Sequence, residues 1–185
     1  MPAVDLATLT TLLARVVDEL PERLRRRTPG WWSGASACAG WTRADGAHHL
    51  VDTWASFEQG VVGVARDQWR TPPMPAHPLA LPDMITVVGR DLVSAVGATK
   101  PGATVRHPYR HVGVEFLAAA AVCEGAVHGW DLDGTVPDAD VAAALVPRLF
   151  PSAPAESEPD GRALLRLCGR GRGAAEQWDW EWDER

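Results

Sequence analysis

The stretch "GVEFLAAAAV" (Gly113 to Val122) constrains the fold more than any other segment. It is almost wholly apolar, so a helix made of it has no face to give to water and must be packed on every side. It is too short to cross a bilayer, which takes roughly 18 apolar residues. Other elements of the chain must therefore cover it. The segment continues into "CEGAVHGWDL" (Cys123 to Leu132), which brings Glu124, His128, Trp130 and Asp131 onto the same helix. Glu124 and His128 are one helical turn apart and share a face. Leu117, Ala120 and Ala121 lie on that face too. Two readings fit the pair. It is a surface ion pair at i,i+4, or it points inward and needs a partner, because an unpaired buried charge costs several kcal/mol.

The covering helices are legible from apolar period. Leu6, Leu9, Leu13, Val16, Val17, Leu20 and Leu24 recur at helical spacing, with Pro21 expected to kink or split the helix. "RTPGWWSGASACAGW" reads as a loop. Thr42 with Asp45 three positions later forms a box-like N-cap for a second helix, expected over about 43–70. The prolines of "TPPMPAHPLALP" exclude a helix over 71–82. A third helix is expected over about 83–98 and a fourth over about 112–134. A short helix follows from Ala139, which Pro147 should stop, then the polar linker "SAPAESEPDG", and then "RALLRLCGR" as one more short helix.

Four main helices with long connections make an all-α four-helix bundle with crossovers. The expectation is a single domain over residues 1–185 with a C-terminal extension. "QWDWEWDER" places Trp178, Trp180 and Trp182 at period two. As a strand it puts all three indoles on one face, and "ATVRHPYR" is the expected partner for a short two-stranded β element. The alternative is a tail lying over the bundle. The same indoles leave a homodimer contact open.

Composition narrows the function classes. The net charge of -6 argues against a nucleic-acid partner. The basic run "ERLRRR" fits a solvated helix C-terminus. Cys38, Cys123 and Cys168 are far apart, with no C-x-x-C pair for a thiolate zinc site or a disulfide framework. With no basic leader before an apolar stretch and no membrane-length apolar run, the expectation is a cytoplasmic protein without a membrane partner.

"DGAHHLVD" supplies a third donor for the inward reading. Leu50, Trp54 and Phe57 set the buried side of the second helix, so His49 faces inward and His48 leans to solvent. His49, Glu124 and His128 would hold a divalent metal and leave one position open, as catalytic zinc sites do. On spacing alone the surface ion pair stays the stronger alternative.

Two blocks carry a family resemblance. "ACAGWTRADGAHHLVD" (Ala37 to Asp52) resembles the pattern P-C-x-G-W-T-x-x-D-x-x-x-H-L of the mycothiol-dependent maleylpyruvate isomerase family, and "CEGAVHGWDLDG" resembles its D/E-x-x-x-H-x-W-D-L signature. "RLFPSAP", "LLRLCGR" and the "WDW" near the C-terminus are similar to family patterns as well. The resemblance spans most of the chain from Cys38 onward. It implies a metal-binding four-helix bundle of the DinB-like type and three ligands, falling on His49, Glu124 and His128. Zinc suits that set best, and nickel, iron or cobalt also fit. Asp131 is then expected to hold a ligand from behind by a hydrogen bond, with helix capping as the alternative.

The remaining residues have plainer readings. Trp41 is expected as a core anchor for the loop–helix join, with a substrate contact as the alternative, and Cys38 and Cys123 as inert buried thiols, with a place near the metal as the alternative. Arg106, His107, Arg110 and His111 would receive an anionic substrate, or simply form an exposed basic loop.

The resemblance further implies a thiol cosubstrate, mycothiol, deprotonated beside the metal. As an isomerase the protein would add the thiolate to the cis double bond of a maleyl-type acid, let the resulting single bond rotate, and expel the thiol. As a transferase it would stop at the adduct with a small electrophile. The family's isomerases are expected to carry a further C-terminal domain, which leaves maleylpyruvate itself open as substrate. A non-catalytic metal-binding module and a hydrolase acting through bound water are the alternatives.

Overall fold

The computed structural model describes residues 4–153, 160–170 and 180. Helix α1 runs over Leu6–Arg25 from an Asp5 cap, whose carboxylate accepts from Thr8 N at 2.8 Å. It passes through Pro21 as one helix, against the expected break. Leu20 and Leu24, fully buried on either side, hold this turn in the core despite the hydrogen bond that proline cannot make. A single turn, α2 (Pro29–Trp32), interrupts the expected loop and is anchored by buried Trp32.

Helix α3 (Arg43–Val61) starts at the expected capping box: Asp45 N donates to Thr42 Oγ1 at 3.1 Å, and Thr42 N to Asp45 Oδ2 at 2.9 Å. It ends well before the expected boundary near Arg70. Gly63 takes a left-handed conformation (φ 81°), and Val64 N reaches back to Gln59 O at 2.9 Å in a Schellman cap. The Gln59 amide then pairs with both backbone groups of Arg70, at 2.7 and 3.0 Å, folding the chain back along the helix. Only a 3-10 turn, Arg66–Gln68, is left of the expected continuation.

Helix α4 (Leu81–Ala98) carries Pro82 in its first turn, where the missing donor costs nothing. Helix α5 (Val114–Asp133) contains the apolar segment and stops at left-handed Gly134. Helix α6 (Ala139–Leu149) continues past Pro147, which was expected to end it; Phe150 N closes the last turn on Val146 O at 3.0 Å, with Leu149 and Phe150 buried. Helix α7 (Gly161–Leu167) follows, capped by Asp160. None of the helices among the described residues is long and apolar enough to cross a membrane.

The four long helices close into a ring: α1 packs on α4 and α5, and α3 packs on the same two. Helix α6 covers α5, and α7 packs on α6. Helix α5 is thus buried along nearly its whole length, as its composition demands. Trp54 fills the middle of the ring and donates to Ala121 O at 3.0 Å. Gly89 of α4 and Gly125 of α5 make the space. A Cβ on either would come within 2.8 or 2.6 Å of the indole. The glycine inside "CEGAVH" is therefore a packing residue.

The only β ladder among the described residues is a hairpin. Strand β1 (Thr104–Arg106) pairs antiparallel with β2 (His111–Gly113), Val105 opposite Val112. The strand expected at "ATVRHPYR" is present and pairs with the residues that follow it, a short-range closure with a low entropic cost. The tail expected as its partner lies outside the described residues except at Trp180. The hairpin sits on α3 at Gly60, where a Cβ would meet Arg106 O. Trp178 and Trp182 lie outside the described residues. Trp180 is half-buried against the core, its ring 6.4 Å from Phe116.

Candidate metal centre

The capping box fixes where α3 begins and so fixes the direction of His49 in its second turn. Gly46 lets that end of α3 approach Leu132 of α5, to which a Cβ would come within 3.3 Å. The intervening loop is tied to the end of α5 by Ala37 N to Asp131 O (2.9 Å) and Arg43 Nε to Leu132 O (3.3 Å). His49 is thereby brought onto the Glu124–His128 face. One ligand atom from each of the three residues lies within 4.8 Å of the other two. His128 Nε2 is 3.1 Å from Glu124 Oε2, and the two imidazoles meet edge to face at 4.9 Å. Ligands at about 2.0–2.1 Å from a tetrahedral zinc stand about 3.4 Å apart, so the spacing fits a metal.

A second cluster shares His128. Asp131 Oδ2 is 3.0 Å from His128 Nδ1, and Cys38 Sγ is 3.1 Å from Asp131 Oδ2. Charge decides between the two. Arg170 already supplies a cation to the second cluster: Nε and Nη2 each donate to Asp131 at 3.0 Å, and Nη2 reaches Cys38 Sγ at 3.3 Å. Glu124 has no arginine or lysine partner among the described residues. With Arg170 committed to the second cluster, the first, of two imidazoles and a carboxylate, is the set whose donor chemistry suits a divalent metal once His128 gives up its proton. His128 Nδ1 is buried without a well-aligned hydrogen bond, although Asp131 stands beside it.

The electrostatics follow this division. Burial, and then the neighbouring His128, hold His49 below the ordinary imidazole value against the pull of Glu124. For His128, burial opposes the charge, but Asp131, Cys38 and Glu124 together outweigh it and lift the pKa to about 11. For Asp131, burial works upward, but His128, Arg170 and Cys38 hold the carboxyl down at about 2.

Opposite pH trends result for the two states. A raised imidazole pKa contributes stability that is complete below 6.5 and fades as pH rises towards 11. Asp131 contributes above 3.8 and loses its share as pH falls towards 2. The metal-free protein should therefore melt at progressively lower temperature above pH 6.5. Metal binding must displace the His128 proton, so zinc affinity should rise by about tenfold per pH unit over the same range. Thermal melts and competitive zinc titrations between pH 6.5 and 9 check both signs.

Other expected residues fall differently. Arg106 and Arg110 are exposed on the hairpin. His107, between them, is buried against Phe57 at 5.0 Å, and burial lowers its pKa to about 4 despite Glu124 nearby. It is neutral at pH 7 and cannot be the cationic receptor considered from the sequence. His48 does not lean to solvent; its Nε2 lies 2.8 Å from Pro72 O, tying α3 to the proline-rich loop. Trp41 is more than an anchor. Half-buried, it stands 4.9 Å from the His49 ring and stacks at 6.4 Å over His128, walling the centre. Arg170 was not anticipated at all, since no local spacing links it to a helix end 39 residues earlier.

The cysteines divide cleanly. Cys123 and Cys168 are buried with their sulfurs 3.8 Å apart, and the Cys123 thiol is held well above its usual pKa, first by the Cys168 contact and then by burial. Cys38 is part-exposed. An aromatic disulfide reagent is expected to titrate about one thiol in native protein and all three in urea.

Neither a protein-family model nor a curated protein matches the chain. Solved structures do. A crystal structure of the mycothiol-dependent maleylpyruvate isomerase superposes with a TM-score of 0.68 at 17% identity, covering 94% of this chain and 94% of that one. A histidine-to-alanine mutant of the mycothiol-dependent maleylpyruvate isomerase gives 0.63 at 15% identity, covering 94% of this chain and 77% of the other. The fold is that of the mycothiol-dependent maleylpyruvate isomerase. Identity this low carries the architecture and no more, so the chemistry has to be argued from the centre itself.

Proposed function

We propose that this chain is a metal-dependent enzyme that activates a low-molecular-weight thiol of the mycothiol type for attack on a small electrophile such as a maleyl-type acid. The observation that carries the reading is the convergence of His49, Glu124 and His128 at a part-exposed edge of the bundle, beside a half-buried indole. The likeness to isomerases named for their mycothiol dependence supports the choice of thiol. Zinc suits the donor set best, within a metal-binding bundle of the DinB-like type. Three free thiols fit a reducing, cytoplasmic setting.

A bound divalent cation supplies the charge that makes a thiol a thiolate at neutral pH. His49, Glu124 and His128 hold the cation, and Asp131 orients His128 from behind. The half-buried Trp41 indole shields one side of the centre from water. Arg106 and Arg110, exposed on the hairpin, are placed in this reading to receive the carboxylates of the acid. The thiolate adds to the cis double bond and its electrons pass to the adjacent carbonyl. The single bond then rotates, and the electrons return to expel the thiolate and leave the trans product. A transferase would stop at the adduct, whose enolate takes a proton from water to give the thioether.

Metal-loaded protein should be incubated with a maleyl-type acid, with and without mycothiol, and followed by proton NMR. A trans olefin that appears only with thiol supports the isomerase, and an accumulating thioether supports the transferase. Turnover without thiol points to hydrolysis, and no reaction with any electrophile points to a binding module.

A further inference from the structure

We propose that Arg170 is a positioning residue for the metal centre, acting on His128 through the Asp131 carboxylate; the inference rests on the ligand set proposed above. The sequence after α7 is shaped to deliver it. Gly169 is left-handed (φ 71°), Gly169 N bonds Arg166 O at 2.9 Å, and Arg170 N bonds Leu165 O at 2.7 Å. These are both bonds of a Schellman motif. That cap turns the chain back, and Cys168, packed on Cys123, docks the turn against α5 next to Glu124. Arg170 then reaches behind the last turn of α5.

Asp131 is 1% exposed at its side chain, and both its oxygens are engaged. Oδ1 accepts from Arg170 Nε; Oδ2 accepts from Arg170 Nη2 and the Cys38 thiol while facing His128 Nδ1. The fourth Arg170 contact, Nη1 to Cys168 O at 2.7 Å, anchors the guanidinium to its own backbone. A planar fork on a carboxylate fixes the carboxylate's plane as well as its position, which a lysine cannot do. With that plane fixed, Oδ2 is held where it sets the angle of the His128 ring, and so the direction of Nε2 towards His49 and Glu124. Three separate segments meet here: the loop carrying Cys38, the end of α5, and the turn after α7.

A purely structural role would dock the α7 turn without tuning the centre, and zinc affinity separates the two. Arg170→Met should weaken zinc binding by about 10–100-fold, the usual consequence of losing a group that supports a ligand. Arg170→Lys, which keeps the charge without the fork, should fall between it and wild type. Asp160→Ala removes the N-cap of α7, at the end of that helix opposite Arg170, and should lower the melting temperature while leaving affinity within about twofold. Competitive zinc titration on variants shown folded by circular dichroism gives the readout. An Arg170→Met affinity within twofold of wild type overturns the inference, as does an Asp160→Ala loss as large as that of Arg170→Met. Should Arg170→Met not fold, wild-type affinity in Arg170→Lys overturns it equally. Wild-type protein that takes up no zinc overturns the ligand set itself, a distinct failure.

Discussion

Glu124→Ala is expected to abolish stoichiometric uptake of a divalent metal. Glu124 is the only anion of the three-residue set, and its Oε2 stands 3.1 Å from His128 Nε2. Without it, two imidazoles remain for a dication, and the neighbouring Asp131 carboxylate is already paired with Arg170. The fall in zinc affinity should far exceed the about 10–100-fold typical of a supporting residue. The fold should survive, because the Glu124 side chain is 19% exposed at the edge of the bundle and makes no backbone cap. Metal analysis of purified protein, paired with circular dichroism, distinguishes loss of the site from loss of the fold. Metal content equal to wild type would contradict the assignment.

Trp54→Ala should cost about 3–5 kcal/mol, the range for removing a large aromatic from a close-packed core. The indole is fully buried, wedged between Gly89 and Gly125, and donates to Ala121 O. Neither glycine carries a side chain that could collapse into the hole, so the cavity should persist. For a chain of this size the loss corresponds to roughly 6–20 °C in melting temperature. Val87→Ala, at a position 60% exposed on α4, should shift stability by less than about 0.5 kcal/mol. Urea unfolding of both variants gives the comparison. Because Trp54 bonds α5 one turn before Glu124, Trp54→Ala should also loosen metal binding.

The architecture was largely legible because it is written in apolar period. The leucines of α1 and the unbroken apolar run of α5 admit one arrangement, with α5 inside. Misread boundaries came from backbone chemistry that period does not see. At α3 the apolar pattern continues to Val64, but Gly63 turns the chain and the Gln59 amide holds it turned. At Pro21 and Pro147 the reverse holds: local chemistry argued for a stop, and buried neighbours carried the helix through.

The candidate centre was legible for a different reason. Glu124 and His128 share one turn, so spacing alone brings them together; the apolar side set by Leu50, Trp54 and Phe57 offered His49 as a third donor, and the resemblance then favoured that set. Residues reaching the centre from afar left no such mark. Trp41 lies in a loop whose path depends on the bonds of Ala37 and Arg43 to the end of α5. Arg170 depends on a helix cap near the other end of the chain. Only the folded structure shows that Trp41 stands over His49 and His128 and that Arg170 grips the Asp131 carboxylate beside them.

The most direct test of the central claim is a cobalt(II) titration of metal-free protein, followed by addition of thiol. A centre of His49, Glu124 and His128 with an open position should bind one equivalent and show ligand-field bands in the visible. On adding mycothiol, a new near-ultraviolet sulfur-to-cobalt band should appear, and His49→Ala should lose both signals. A cobalt spectrum unchanged by thiol, or one that His49→Ala leaves intact, would contradict the account.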